Sequence, residues 1–267
     1  MDETKGQSPS QQITKAITRV LDTGSIAAVV TVISGTDAIG AKLLFEDGRL
    51  SLGSSGDARL DNLIAQRAIL FLESRDETKM ISVSEVATDE ILLLFERIQP
   101  LPRLIVCGAG HVGTALAKLG EFVGYHTTLI DDRAQFVQPD RFPGAQIELI
   151  VAEDWTQAVK DAIGSGRGVA VAVVTRGHNQ DEECMEAIMA TSPDYVGLIG
   201  SKRRTNIVLE NLRRNGASEA QLKNIRAPIG LDIGAVSPEE VALAIIAEIV
   251  AERRGGKGGS LSDWRRK

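Results

Sequence analysis

The chain has 267 residues, of which 43% are hydrophobic and 25% charged, a balance typical of a folded globular protein. Its formal net charge of −6 argues against a nucleic-acid partner. No apolar run reaches the roughly 18 residues of a membrane span, and the polar start of the chain and its two cysteines favour a cytoplasmic protein without a membrane partner.

The first hundred residues alternate helical and strand patterns, which predicts a small α+β domain over residues 1–99. Its predicted elements are helices over 12–22 and 58–73 and strands over 27–33, 42–45, 50–52, 80–86 and 91–98. Asp47-Gly48 separates the second and third of these strands and is a dipeptide typical of hairpin turns. Pro100 and Pro102 mark the joint with the next domain.

A glycine pattern between two apolar runs is the most informative feature of the sequence. The first run meets Gly108-x-Gly110-x-x-Gly113, a helical pattern follows, and the second run ends at Asp131 and Asp132. The first glycine permits a tight turn, the second lets a phosphate approach the backbone, and the third lets helix and strand pack closely. The context of strand, turn, helix and strand predicts a nucleotide or phosphate site.

Strands and helices alternate through the second half of the chain, which predicts a doubly wound parallel sheet. The predicted strands cover 103–107, 126–131, 147–151, 169–175 and 195–200, and the helices cover 112–123, 155–164, 179–190, 202–214 and 238–254. Ser237 and Glu240 form a capping box at the start of the last helix. We predict this domain over residues 100–255, followed by a basic, flexible tail over 256–267.

The loops after the predicted strands carry polar residues suited to a ligand. Asp131 or Asp132 could bond a ribose, as for NAD, whereas Arg133 could accept a 2′-phosphate, so NAD and NADP both stay open. Arg176 could pair with an anion, and His178 could transfer a proton near neutral pH. These loops meet at the carboxyl edge of a parallel sheet.

Two later segments extend this predicted site. Gly200-Ser201-Lys202 follows the fifth strand and could offer free N–H groups and a cation to phosphate. The segment around Pro228, Gly230 and Asp232 is too rich in glycine for a helix and predicts an irregular loop beside the site. The three histidines are too scattered for a zinc signature, so no metal site is predicted.

Taken together, these loops resemble the XdhC/CoxI family, maturation factors of xanthine dehydrogenase and related molybdenum hydroxylases. The matching segments are 105–113 (IVCGAGHVG), 131–133 (DDR), 175–181 (TRGHNQD), 195–203 (YVGLIGSKR) and 225–240 (IRAPIGLDIGAVSPEE). The resemblance implies an α/β fold in which a Rossmann-like doubly wound parallel sheet follows a smaller α+β domain. It implies a protein that binds molybdenum cofactor, as molybdopterin or its dinucleotide form, and delivers it to a molybdenum hydroxylase apoenzyme.

The resemblance also implies contact with a cysteine desulfurase, because such hydroxylases need a sulfurated cofactor; a homodimer stays open. The cofactor-binding residues expected from it are Gly108, Gly110, His111, Val112, Gly113, Asp131, Asp132, Arg133, Arg176, Gly177, His178, Gly200, Ser201, Lys202, Pro228, Gly230 and Asp232. Two alternatives use the same site: an NAD(P)-dependent oxidoreductase with His178 as catalytic acid or base, and a nucleotide-sensing regulatory protein.

The first domain departs from the family pattern. Family members carry a Gly-Gly-Cys segment after the first hairpin, where this chain reads GSSGD at residues 53–57. A second cysteine-glycine segment is also absent, so the domain is shortened and free of cysteine. We therefore expect no thiolate from this domain at molybdenum.

Overall fold

Two sheets of different kinds organise the chain, an antiparallel one of five strands and a parallel one of six. They lie in separate units, Met1–Pro100 and Leu101–Lys267. The computed structural model describes residues 9–46, 49–74, 76–85, 90–164 and 166–262. Both the mixed α+β character of the first unit and the doubly wound parallel sheet of the second confirm the predicted fold class.

The described residues of the first unit form two helices and five strands. They are α1 (Pro9–Asp22), β1 (Ala27–Ser34), β2 (Lys42–Glu46), β3 (Arg49–Leu52), α2 (Ala58–Ser74), β4 (Thr78–Val83) and β5 (Ile91–Ile98), with strand order β3-β2-β1-β5-β4. Alternate residues of β1 point to opposite faces, so that Val30 packs with Ile64 of α2 while Val29 packs with Ile13 of α1. Each helix therefore covers one face of this sheet.

The predicted elements of the first unit are present with shifted ends. Helix α1 begins at Pro9, three residues before the predicted start, and β4 covers Thr78–Val83 where residues 80–86 were predicted. Strands β2 and β3 pair as the predicted hairpin. The turn itself, Asp47-Gly48, and residues 86–89 lie outside the described residues.

The second unit alternates strands and helices as predicted. Its elements are β6 (Arg103–Cys107), α3 (His111–Phe122), β7 (His126–Asp131), β8 (Ile147–Val151), α4 (Trp155–Ile163), β9 (Val169–Val173), α5 (His178–Thr191), β10 (Tyr195–Leu198), α6 (Lys202–Arg214), α7 (Glu219–Asn224), β11 (Ile225–Arg226) and α8 (Pro238–Arg254). The short α7 and β11 were not predicted. Ser237 and Glu240 make the predicted capping box of α8. The last part of the predicted tail, residues 263–267, lies outside the described residues.

The parallel sheet has helices on both faces and a reversal of strand order at β6. Its order is β11-β10-β9-β6-β7-β8. One face packs against α4, α5 and α6, and the other against α3 and α8. From β6 the chain continues to β7 and β8 on one side of the sheet, and from β9 it continues to β10 and β11 on the other. Folds of this kind bind ligands in the crevice where the strand order reverses, which here lies between β6 and β9. Among the described helices, none combines the length and apolarity needed to cross a bilayer.

Candidate ligand site at the carboxyl edge of the parallel sheet

The parallel strands end in register at one edge of the sheet. Cys107 at the end of β6 pairs with Ile130 of β7 and with Val173 of β9, which in turn pairs with Leu198 of β10. The loops that follow these strands therefore begin at the same edge. The structure brings four predicted segments together there: residues 108–113, 131–133, 176–178 and 200–202.

The three glycines of the turn after β6 have different surroundings. Gly108 has a φ of +111°, and a Cβ on it would lie 2.7 Å from the carbonyl oxygen of Val174. A Cβ on Gly113 would overlap the carbonyl oxygen of Gly108 at 1.7 Å, so this glycine lets α3 approach the turn. A Cβ on Gly110 would meet nothing within 4 Å. Only Gly110 is thus open on its side-chain side.

The N-terminus of α3 has no side-chain cap. Gly110 is its N-cap residue, and no side-chain hydrogen bond satisfies the first N–H groups of the helix. His111 is exposed and Val112 is half-buried. Unsatisfied N–H groups and the helix dipole stabilise an anion at such a position. The open side of Gly110 leaves room for the anion to reach them.

Asp131 is buried, and protein donors already occupy its carboxylate. It accepts hydrogen bonds from the backbone N–H of Ala109 at 2.6 Å and from the backbone N–H of Arg133 at 3.0 Å. Burial alone would raise the pKa of Asp131, but the hydrogen bonds from Arg133 and Ala109 outweigh it and hold the pKa below its usual range. Asp131 therefore ties the glycine turn to the end of β7 as a carboxylate.

The Arg133 side chain is fixed on two sides. Its Nε donates to Asp131 Oδ1 at 2.8 Å and its Nη2 donates to Oδ2 at 2.9 Å, a bidentate pair that raises the pKa of Arg133. Its Cζ lies 3.8 Å from the centre of the Phe136 ring. Asp131 thus engages the Nε–Nη2 edge of the guanidinium and leaves its Nη1 edge for another anion.

Asp132 and Arg176 form an ion pair between two of the loops. Arg176 Nη2 lies 3.0 Å from Asp132 Oδ2, and both side chains are partly exposed. Asp132 follows β7 and Arg176 follows β9, and these strands flank β6. The pair therefore brackets the strand that leads into the glycine turn.

A buried network that the sequence did not predict joins three elements beside this turn. Asp181 in the first turn of α5 is fully buried and accepts a hydrogen bond from Thr175 Oγ1 at 2.6 Å. Arg204 of α6 donates to Asp181 Oδ2 from Nε at 2.9 Å and also from Nη2. Burial raises the pKa of Asp181 by more than Thr175 and Arg204 lower it. Asp181 ends the 175–181 segment and Arg204 directly follows the 195–203 segment, but no local signal indicates that they pair.

The starts of α5 and α6 differ in their capping. Gly177 is the N-cap of α5 and provides no side-chain cap, whereas Ser201 Oγ accepts a hydrogen bond from the backbone N–H of Arg204 at 3.3 Å. His178 and Lys202 are exposed at the first positions of these helices. Among the described residues, none is hydrogen-bonded to the imidazole of His178.

The predicted loop around residues 228–232 is held mainly by α8. The backbone N–H of Gly230 donates to Glu248 Oε2 at 2.9 Å, and the hydroxyl of buried Tyr195 donates to the same oxygen. Pro228 and Asp232 are exposed. No hydrogen bond or ion pair of the described residues joins this loop to the glycine turn.

The thiols of the chain lie away from solvent. Cys107 and Cys184 are both free and buried. Burial and the neighbouring Cys107 raise the pKa of Cys184 well above its usual value. Within the described ranges, no group of three or more His, Cys, Asp or Glu side chains could hold a metal ion.

Comparison with known proteins relates the parallel-sheet unit to one family. Residues 104–249 match the family described as the XdhC Rossmann domain. The chain is 30% identical over 162 residues to a protein of Bacillus subtilis (strain 168) named as a probable subunit of xanthine dehydrogenase, covering 61% of this chain and 46% of that protein. It is 24% identical over 155 residues to the molybdenum cofactor insertion chaperone PaoD of Escherichia coli (strain K12), covering 58% of this chain and 41% of that protein.

A solved structure matches nearly the whole chain. It is a crystal structure of a xanthine dehydrogenase from Bacillus halodurans, with a TM-score of 0.52 and 18% sequence identity. The match covers 94% of this chain and 98% of that one, and it shows the fold alone. The two curated relatives are longer than the aligned region, so the chain spans less than half of their length.

Proposed function

Because the chain belongs to the XdhC Rossmann-domain family, we propose that it binds molybdenum cofactor and delivers it to a molybdenum hydroxylase apoenzyme. The cofactor is the cargo, in its molybdopterin or dinucleotide form. Two relatives support this proposal, one named as a probable subunit of xanthine dehydrogenase and the other as a chaperone that inserts molybdenum cofactor.

The observation that carries the proposal is the uncapped start of α3 beside the open Gly110. Every form of the cargo bears a phosphate, and this is the group that free N–H groups at a helix N-terminus bind. Arg176 is half exposed at the same edge, where its ion pair with Asp132 limits the positive charge that it offers to the phosphate. The site therefore suits the phosphate end of the cargo.

Contact with the metal end of the cargo would not involve a thiolate of this chain. Its two cysteines, Cys107 and Cys184, are both buried in the core. In the first unit, the segment in place of the Gly-Gly-Cys motif has hydroxyls instead: Ser54 Oγ donates to Asp61 at 2.6 Å and Ser55 Oγ donates to the same carboxylate. We propose that the phosphate end alone anchors the cargo.

Two further proposals concern assembly, and only the first follows from the family resemblance. A cysteine desulfurase would be a second partner, since the client hydroxylase needs a sulfurated cofactor, and the chain would form a homodimer. Light scattering of the purified protein and co-purification with the host desulfurase test them separately. A monomer at micromolar concentration, or no retained desulfurase, would remove the respective proposal.

The geometry favours a carrier over an NAD(P)-dependent oxidoreductase. A catalytic acid or base is normally oriented by a hydrogen-bonded neighbour. His178 is exposed, and no described side chain is bonded to its ring. The network around Asp181 lies nearby but bonds Thr175 and Arg204.

Two glycine variants test the carrier proposal. The protein is produced in a host that makes molybdopterin, and native mass spectrometry measures the bound ligand. Gly110→Val should abolish the co-purifying pterin without unfolding the protein, because the side chain enters open space on the ligand side. Gly113→Val should lower stability as well as retention, because its Cβ overlaps the carbonyl of Gly108.

The outcomes separate the candidate functions. A pterin on the wild-type protein and its loss from Gly110→Val support the carrier, and transfer of that pterin to an apo-hydroxylase completes the test. Bound NAD(P) together with substrate turnover would favour the oxidoreductase over the carrier. A bound nucleotide without turnover would favour the regulatory protein. Unchanged retention by Gly110→Val would remove the phosphate site.

A further inference from the structure

We propose that Arg133 is a stacking platform for a planar heteroaromatic ring of the bound ligand. This inference rests on the proposed function, because the ring is placed relative to a phosphate at Gly110. The ring is a purine or a pterin, two chemistries that offer the same flat π-face. Stacking is a different role for Arg133 from the binding of a 2′-phosphate.

The guanidinium of Arg133 has a fixed orientation. Asp131 binds one edge of it through two hydrogen bonds of 2.8 and 2.9 Å, which fixes the plane of the group. Asp131 is itself buried, with 1% of its surface exposed, and it also accepts the N–H of Ala109 within the glycine turn. The plane of Arg133 is therefore fixed relative to the place where a phosphate would bind.

The Phe136 ring covers one face of the Arg133 guanidinium. It lies 3.8 Å from Arg133 Cζ, a separation at which an arginine stacks on an aromatic face. One ring can cover only one face of the guanidinium. The side chain of Arg133 is still 24% exposed, although Asp131 occupies its edge. The face opposite Phe136 and the Nη1 edge are therefore the parts of the guanidinium that remain for a ligand, and only the face offers a flat surface for stacking.

The position of Arg133 and the stacking chemistry of its guanidinium both favour a ligand with a flat ring. Flat heteroaromatic rings stack on guanidinium planes in many nucleotide complexes. Arg133 follows the end of β7, next to the glycine turn at the end of β6. A ligand with its phosphate at Gly110 and a ring beyond it would thus place that ring against Arg133.

The test compares ligands with and without a ring in the same protein. Calorimetry measures the affinity of inorganic pyrophosphate, ADP and 6-hydroxymethylpterin diphosphate. The wild-type protein should bind at least one of the ring-bearing diphosphates about tenfold more tightly than pyrophosphate, as expected for one stacking contact. An advantage for ADP alone identifies a purine platform, and an advantage for the pterin diphosphate alone identifies a pterin platform.

Two variants separate the platform from its support. Arg133→Lys keeps the charge and loses the plane, and Phe136→Leu keeps the pair with Asp131 and removes the supporting ring. In Arg133→Lys, the affinity advantage of the ring-bearing diphosphate over pyrophosphate should fall to less than about twofold while pyrophosphate binding persists. Phe136→Leu should retain most of this advantage, because Asp131 still fixes the plane. Arg167→Lys changes an exposed arginine before β9 and should leave the advantage intact.

Failure of this inference differs from failure of the proposed function. Equal affinities of the wild-type protein for all three diphosphates would overturn the stacking role while the phosphate site stands. The same holds if Arg133→Lys keeps the affinity advantage of the ring-bearing diphosphates. Absence of binding by every diphosphate would overturn the phosphate site and the platform together. Because each comparison is a ratio within one variant, a change in stability does not mimic the result.

Discussion

The ion pair between Arg176 and Asp132, with Nη2 and Oδ2 3.0 Å apart, connects the loops on either side of β6. Arg176 is 51% exposed and Asp132 29% exposed, so water screens the pair. Asp132 neutralises a cation that a phosphate at Gly110 would otherwise attract. If a phosphate binds as proposed, this pair would set how strongly the edge of the sheet attracts it.

Asp132→Asn should tighten the binding of inorganic pyrophosphate several-fold, because Arg176 then carries an uncompensated charge. Arg176→Gln should weaken it by a similar factor. Neither change should alter the free energy of unfolding by more than about 1 kcal/mol, since exposed pairs contribute little. Calorimetry at low and high salt measures both effects, and weaker pyrophosphate binding by Asp132→Asn would contradict this role of the pair.

The network of Asp181, Thr175 and Arg204 predicts a large effect on stability. Arg204→Met leaves the fully buried carboxylate of Asp181 without its cation and should lower the free energy of unfolding by about 3 kcal/mol at neutral pH. Arg203→Met changes the exposed neighbour and should cost less than about 0.5 kcal/mol. Urea unfolding followed by circular dichroism measures both values.

The loss of stability in Arg204→Met should depend on pH. Burial already raises the pKa of Asp181, and loss of Arg204 should raise it further. A carboxyl whose pKa is higher in the folded state stabilises the fold in its protonated form, and this contribution is lost as pH rises through the folded pKa. The deficit of Arg204→Met should therefore shrink as pH falls below neutrality. A constant deficit between pH 7 and pH 5 would argue against an unpaired Asp181 as its cause.

Periodicity and turn chemistry predicted most of the parallel-sheet unit because its strands are apolar runs and its helices have clear boundaries. Ser237 and Glu240 signalled the start of α8 at the correct residue. Helix α7 was missed because six residues make less than two turns, although Ser218 and Gln221 form a capping box. Strand β11 pairs only two residues with β10, too few for a periodic signal.

The sequence predicted side-chain pairs less well than it predicted backbone structure. The order of strands and loops predicted that Asp132 and Arg176 share an edge, but not that they bind each other. Asp181 and Arg204 lie 23 residues apart on different helices, and only packing of α5 against α6 brings them together. Local patterns determine where a chain turns, whereas such pairs depend on the register of whole elements.

Asp131 should make the protein sensitive to acid. Its pKa is lowered in the folded state, so its stabilising contribution is present above the ordinary value of 3.8 and is lost as pH falls through the lower folded pKa. Asp131→Asn should be less stable than the wild-type protein at pH 7, and the difference should narrow below pH 4. Thermal unfolding between pH 7 and pH 3 measures it, with Asp140→Asn, which changes an exposed aspartate, as the control.

The geometry of Arg133 also predicts discrimination against a 2′-phosphate. The edge of its guanidinium is bound to Asp131, and Asp132 lies beside it with Oδ1 3.8 Å from Arg133 Nε. A 2′-phosphate there would meet the carboxylates of Asp131 and Asp132, which offset the charge that the remaining Nη1 edge of Arg133 presents. If the site takes nicotinamide dinucleotides at all, NAD⁺ should bind several-fold more tightly than NADP⁺. Competition calorimetry measures the ratio, and Asp132→Asn should reduce it.

The buried thiols give a direct test of the claim that no thiolate of this chain reaches the cargo. Burial raises the pKa of Cys184, and Cys107 is equally inaccessible, so Ellman's reagent should label neither in the folded protein and both in guanidinium. Ser54→Cys places a thiol at an exposed position in the segment that lacks the family's cysteine, and it should react at once. Pterin retention by this variant should equal that of the wild-type protein if the phosphate end alone anchors the cargo. A marked gain in retention would show that the added thiol supplies a second anchor in this variant.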